Sequence, residues 1–229
     1  MAENARAEKQ RMDPYTMALR AAREFQDGWF INLGGGIPLL AANFIPAGRE
    51  IIFHTENGAL GYGEMSAPGE GDPNLINAFG QTMTPQPGMS FFEQAEAFAM
   101  IRGGHLDCCV LGGLQVSEKG DLANWVVPGR QVVGAVGGAM DLACGARMLI
   151  VLMTHNTKEG EPKILKECSY PLTAKGCVDL IVTDIAVIEV TRSGLVLRET
   201  APGWTAEEIQ ALTEPALITD KDLQEMKLL

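Results

Sequence analysis

The amino-acid sequence predicts an α/β fold built on an open, largely parallel sheet with helices on both faces. Three observations predict it. The apolar runs Ile51-Ile52-Phe53, Cys108 to Leu111, Met148 to Met153 and Leu180 to Val182 have the length of strands and no alternation, the pattern of strands covered on both sides. Stretches with helical spacing stand between these runs. The 26 glycines gather in short clusters at the junctions, where tight turns are needed, and form no repetitive tract.

In chain order, Asp13-Pro14 opens a helix whose apolar positions Met17, Ala18, Ala21, Ala22 and Phe25 lead to a stop at Asp27-Gly28. Trp29 to Leu33 reads as a strand. Gly34-Gly35-Gly36 then turns into a short helix through Phe44, because Pro38 suits a first helical position, and Pro46 to Gly48 ends it. After the strand at Ile51 to Phe53, the polar and Gly-rich stretch from Thr55 to Asp72 reads as a long connection. Ser90 and Glu93 have the spacing of a capping box for a helix ending at Arg102-Gly103-Gly104. Gly138 to Ala146 is a small-residue helix lying before a strand, and Thr205 with Glu208 caps a late helix. No repeat or linker divides the chain, so residues 13–229 are expected to form one domain behind a flexible tail, 1–12.

Composition narrows the function. A chain of 229 residues, 46% hydrophobic and 21% charged, can bury a full core. Its formal net charge of -11 argues against nucleic acid or an anionic membrane surface as a partner, since both require a basic patch. The start of the chain is polar, and no run reaches the roughly 18 apolar residues of a spanning helix, so a cytoplasmic protein is expected. The five cysteines are odd in number and include no Cys-x-x-Cys pair, which indicates neither a disulfide framework nor a zinc ribbon. No metal site is expected either. The three histidines, His54, His105 and His155, lack ligand spacing, and Cys108 and Cys109 on one strand point to opposite faces.

A glycine-rich turn after a strand suggests dinucleotide binding, but the spacing fails. Gly34 and Gly36 supply two positions of G-x-G-x-x-G, and the third is Leu39. The segment His54-Thr55-Glu56-Asn57-Gly58 is more informative. Ligands in open α/β sheets bind beyond the carboxyl ends of the strands, and there Glu56 is delivered on a bend that Asn57-Gly58 can form. A solvated turn residue satisfies the same pattern. Gly137 and Gly138, opening a small-residue helix, offer backbone N–H groups to a phosphate or an oxyanion, and close helix packing explains them equally well. Gly120 to Trp125 reads as a rigid loop with polar groups and an aromatic.

Taken in order, Asn32-Leu33-Gly34 through Ile37-Pro38, Thr55-Glu56-Asn57-Gly58, Ala99 to His105, Gly120 to Trp125 and Gly137 to Leu142 resemble the motifs of family I coenzyme A transferases. The resemblance is to the B subunit, or to the C-terminal half of fused members, and runs from about Tyr15 to Leu217. Thr55 stands where Ser is usual, Gly35 where Ile is frequent, and Glu64 where Gly-Pro is common after Gly61-x-Gly63.

The resemblance implies a CoA-transferase-like fold and Glu56 as the nucleophile. Gly137 and Gly138 would line the acyl site and donate to the oxyanion, and Asn57, Gly34, Gly35 and Gly36 would contact substrate. It also implies no permanently bound cofactor, with CoA as substrate and covalent thioester, and partnership with the family's A subunit in an α2β2 or similar assembly. CoA would move from an acyl-CoA such as succinyl-CoA to a 3-oxoacid such as acetoacetate or 3-oxoadipate, through an acyl-glutamyl anhydride and a glutamyl-CoA thioester. Acetate, butyrate or another short or dicarboxylic acid is the alternative acceptor. A sugar-phosphate isomerase needs a base and a basic phosphate pocket, and the stretch from Thr55 to Asp72 contains no Lys or Arg. A ligand-sensing domain of similar fold remains the other reading.

Overall fold

The structure, a computed structural model, describes residues 9–67, 69–129 and 135–228. Its elements in chain order are α1 (Pro14–Ala22), β1 (Phe30–Leu33), a 3-10 helix (Ile37–Asn43), β2 (Ile52–Thr55), β3 (Ala59–Met65), β4 (Met83–Phe91) and α2 (Gln94–Arg102). There follow β5 (Cys108–Gly112), β6 (Gln115–Ser117), β7 (Leu122–Ala123), α3 (Ala139–Gly145), β8 (Met148–Leu152), β9 (Ile164–Leu165) and β10 (Leu180–Val182). The chain closes with β11 (Ala186–Thr191), β12 (Gly194–Thr200), α4 (Ala206–Ala211) and β13 (Leu217–Glu225).

Among the described residues these strands form an open ten-stranded sheet in the order β13-β12-β11-β10-β8-β5-β1-β2-β3-β4, and a small sheet β7-β6-β9. The middle five strands, β10-β8-β5-β1-β2, are all parallel, as the unbroken apolar runs predict. Alternate residues of each central strand enter different cores. Cys108, Val110, Ile150 and Leu152 pack with Met17, Ala18 and Ala21 of α1, together with the 3-10 helix. Cys109, Leu111, Leu149 and Val151 pack with Ile101 of α2 and Leu142 and Ala143 of α3. Helices therefore cover both faces, and the two adjacent cysteines point to opposite sides.

Local chemistry explains the helix starts, with one correction. Asp13 caps α1 by accepting from the Thr16 N–H at 2.9 Å, with Pro14 in the first turn, and Thr205 with Glu208 forms the full capping box of α4. The capping box expected from Ser90 and Glu93 does not form. Strand β4 continues through Ser90, whose hydroxyl donates to Gly88 O, and α2 starts at Glu93 without any side-chain cap.

The polar segment after Glu56 also differs from the long connection expected. Ala59–Met65 forms a strand paired antiparallel with β2 on one side and β4 on the other. Its glycines depress strand propensity, but pairing on both sides and the stacking of Tyr62 on Phe53, centroids 5.6 Å apart, override that preference. Of the segment 1–12, expected as a flexible tail, the described part is held in place. Met12 N–H donates to Asp184 O, Arg11 pairs with Asp184, and Lys9 pairs with Glu208. No helix among the described residues is long and apolar enough to cross a membrane.

The β2–β3 connection fixes where Glu56 stands. Gly58 N–H donates to Thr55 O at 3.0 Å, closing a turn with Glu56 and Asn57 at its centre. Neither central residue has positive φ; Gly58 does, at 113°, completing a three-residue hairpin loop. A Cβ on Gly58 would stand 2.1 Å from Phe92 O, so backbone packing as well as conformation demands glycine. Gly58→Ala should lower stability by at least about 2 kcal/mol in denaturant unfolding. A loss below about 0.5 kcal/mol would show that the turn is not so constrained.

Candidate active site

The carboxyl ends of three neighbouring parallel strands meet around one cavity of about 470 Å³. Gly34 and Gly35 follow β1, Glu56 follows β2, and Gly112 to Leu114 close β5. Asn124 and Trp125, after β7, form another side. Ala135 to Ala139 and Leu142 supply the wall at the start of α3, and Phe79 reaches in from the loop before β4. Glu56 is the one ionisable side chain among the described residues lining this cavity.

Glu56 is half-buried, and its surroundings fix its orientation. The buried Asn32 amide donates to Glu56 Oε2 at 3.3 Å, and the same nitrogen lies 3.1 Å from His54 Nδ1 and 3.2 Å from His54 O. Acceptance at Nδ1 from the Asn32 amide assigns the imidazole proton to Nε2. Burial pulls His54 from the usual 6.5 down to about 4, with the Ala97 backbone opposing, so the ring is neutral near pH 7. On the opposite side, a Cβ at Gly138 would lie 3.2 Å from Glu56 Oε1 and 3.1 Å from the Phe98 ring. Burial, and then the negative charge of Glu56, pushes the Tyr62 hydroxyl upward; burial, Cys108 and Glu56 do the same for the Cys109 thiol. Both neighbours are therefore neutral.

Asn32 Oδ1 and Trp125 Nε1 are buried and have no hydrogen-bond partner among the described residues. Such groups are rare in folded proteins, and here Asn32 bonds both His54 and Glu56 while Trp125 lines the cavity.

The structure brings Glu56, Gly34, Gly35, Gly137 and Gly138 around the same cavity. Gly36, at φ 82°, opens the 3-10 helix and is outside the lining. The Asn57 side chain turns away to donate to Ile76 O and to accept from the Thr55 hydroxyl. Reading the residues alone missed Asn32, His54 and Phe79 as members of the site. Asn32 and His54 stand at the ends of adjacent apolar strands and pair directly in register, a relation visible only once the strands are aligned. Among the described residues, no group of three or more His, Cys, Asp or Glu side chains is arranged to hold a metal ion.

The model of the coenzyme A transferase family matches residues 15–212. The B subunit of a 3-oxoadipate CoA-transferase from Pseudomonas putida is 50% identical over 202 residues, covering 88% of this chain and 94% of that protein. The B subunit of a succinyl-CoA:3-ketoacid coenzyme A transferase from Helicobacter pylori is 48% identical over 195 residues, covering 85% and 93%. An acyl-CoA transferase from E. coli O157:H7, solved as a thioester complex with CoA, superposes with a TM-score of 0.73 at 20% identity. All of this chain is covered, and it spans 44% of that one. The chain thus belongs to the coenzyme A transferase family and is a transferase.

Burial of neutral histidine gives a pH dependence. His155, enclosed by Thr183 and Thr213, is also lowered to about 4, chiefly by burial. An unfolded chain protonates these rings below about 6.5 and the folded one only near 4, so their contribution is complete above 6.5 and is lost as pH falls toward 4. The denaturation midpoint should decline through that window, and His155→Asn should flatten the decline even though it lowers stability overall. An unchanged slope would contradict the assignment.

Proposed function

We propose that this chain is the B subunit of a hetero-oligomeric CoA transferase, with residues 13–229 as its single domain. It moves CoA from an acyl-CoA such as succinyl-CoA to a 3-oxoacid such as acetoacetate or 3-oxoadipate. The observation that carries this reading is Glu56, the sole ionisable group in the described lining, held by Asn32 on one oxygen and with its other oxygen 3.2 Å from where a Cβ on Gly138 would stand. The substrate class follows from the names of the relatives.

The chemistry suits such a group. The Glu56 carboxylate attacks the thioester carbonyl, the C–S bond breaks, and CoA leaves as thiolate while an acyl-glutamyl anhydride forms. The thiolate then attacks the glutamyl carbonyl, releasing the first acid and leaving CoA on Glu56 as a thioester. The second acid's carboxylate attacks that thioester and expels the thiolate. The thiolate takes the new acyl group from the anhydride, which regenerates Glu56. Each tetrahedral intermediate carries negative charge on oxygen, and backbone N–H groups of Gly137 and Gly138 are assigned to stabilise it. An apolar lining that includes Leu111, Leu114, Trp125 and Leu142 protects the anhydride from water.

The A subunit of such an enzyme is assigned to cover the cavity mouth. Phe79 in the lining is exposed, as is Met140, next in sequence to the lining residue Ala139. The test is CoA exchange between succinyl-CoA and acetoacetate or 3-oxoadipate by the chain assembled with that partner. Exchange should be absent from the chain alone. Glu56→Asp, which withdraws the carboxylate by one methylene, should cost more than about a hundredfold in kcat. Full-rate exchange by the isolated chain, or by Glu56→Asp in the complex, would overturn the assignment.

A further inference from the structure

We propose that Phe79 forms the wall that limits the chain length of the acid accepted beside Glu56, and that Gly35 is the socket in which its ring sits. The proposal rests on reading the cavity as the acyl site. A Cβ at Gly35 would stand 2.7 Å from Phe79 Cε1 and 2.8 Å from Cδ1, so the ring fills the space that any side chain at position 35 would take. Both residues line the cavity that contains Glu56. The residue is 48% exposed, so its ring is seated against Gly35 without being enclosed by the core.

The loop carrying Phe79 is also fixed to the nucleophile's own turn. Ala78 N–H donates to the Thr55 hydroxyl at 3.0 Å, and Asn57 Nδ2 donates to Ile76 O at 2.8 Å. Within the loop, Asn77 Oδ1 accepts from the N–H groups of Phe79 at 2.9 Å and Gln81 at 3.0 Å. Thr55 and Asn57 flank Glu56, so these bonds set the distance between the carboxylate and the ring through two short connections. An acyl group joined to Glu56 would lay its tail along this cavity, and the ring is one side of it. A longer tail has to displace the ring from Gly35 or leave the cavity.

The test uses the chain assembled with its partner and compares straight-chain 3-oxoacids of four, six and eight carbons, by kcat/KM and by calorimetric binding. Phe79→Ala should raise the preference for the six- over the four-carbon acid by about tenfold or more, the scale set by added methylenes in an apolar pocket. Phe79→Leu should fall between. Gly35→Ala should depress binding of the four-carbon acid by forcing the ring inward, and Phe79→Ala in the same chain should relieve that defect. An unchanged length profile in Phe79→Ala, or independent effects of the two substitutions, would overturn the proposal. Calorimetry reads the wall without turnover. Length-dependent binding that responds to Phe79→Ala, in a protein that moves no CoA, would support the wall and sink the transfer reading instead.

Discussion

The wedge of Gly58 against the backbone at Phe92 is the constraint on which the site depends. Gly58 N–H closes the turn on Thr55 O, while Gly58 O accepts from Phe92 N–H at 3.0 Å, just before α2 begins. The same few atoms thus hold the end of a buried parallel strand, the start of an antiparallel hairpin and the approach to a helix. Glu56, at the first central position of the turn, inherits its placement from all three. Its backbone stays in an ordinary conformation, because the positive φ is confined to glycine. The sheet therefore presents a carboxylate at its carboxyl edge without local strain.

Around that carboxylate the fold supplies groups that are polar or titratable but uncharged. Burial keeps His54 unprotonated and Tyr62 and Cys109 protonated. No nearby side chain in the described lining neutralises Glu56 through an ion pair. Its fixed contact is instead a single amide hydrogen from Asn32. A strong cationic partner would lower the carboxylate's nucleophilicity along with its energy, whereas an amide orients it and leaves the second oxygen free. The unpartnered Asn32 Oδ1 and Trp125 Nε1 extend this pattern of polarity held without charge.

Much of this was legible in the sequence. The parallel core was readable because its strands are unbroken apolar runs, and the place of Glu56 at the end of one, before Asn-Gly, was readable too. A solvated turn residue fits that pattern equally, and the role of Glu56 as nucleophile came only from the motif resemblance. The hairpin Ala59–Met65 with Met83–Phe91 was not readable. Gly61 and Gly63 weaken its propensity, and its stability comes from neighbours on both sides, including close packing of Gly63 on Thr84 and Gln86. The Ser90–Glu93 signal misled for a related reason, since strand pairing claimed Ser90 before the helix could use it. Asn32, His54 and Phe79 carry no local signature; their roles arise from strand register and from a loop that folds back across the cavity.

The central claim is that Glu56 carries the acyl group and then CoA. It is tested most directly by trapping the covalent intermediate in the complex with the A subunit, given acyl-CoA but no second acid. Borohydride should reduce the γ-glutamyl thioester to an alcohol and hydroxylamine should convert it to a hydroxamate, whereas a free carboxylate reacts with neither. Mass spectrometry of the peptide spanning Ile52 to Glu64 should place both modifications on Glu56 and find none in Glu56→Ala. Modification at Glu64 or Glu70, or thioester-dependent label that persists in Glu56→Ala, would contradict the account.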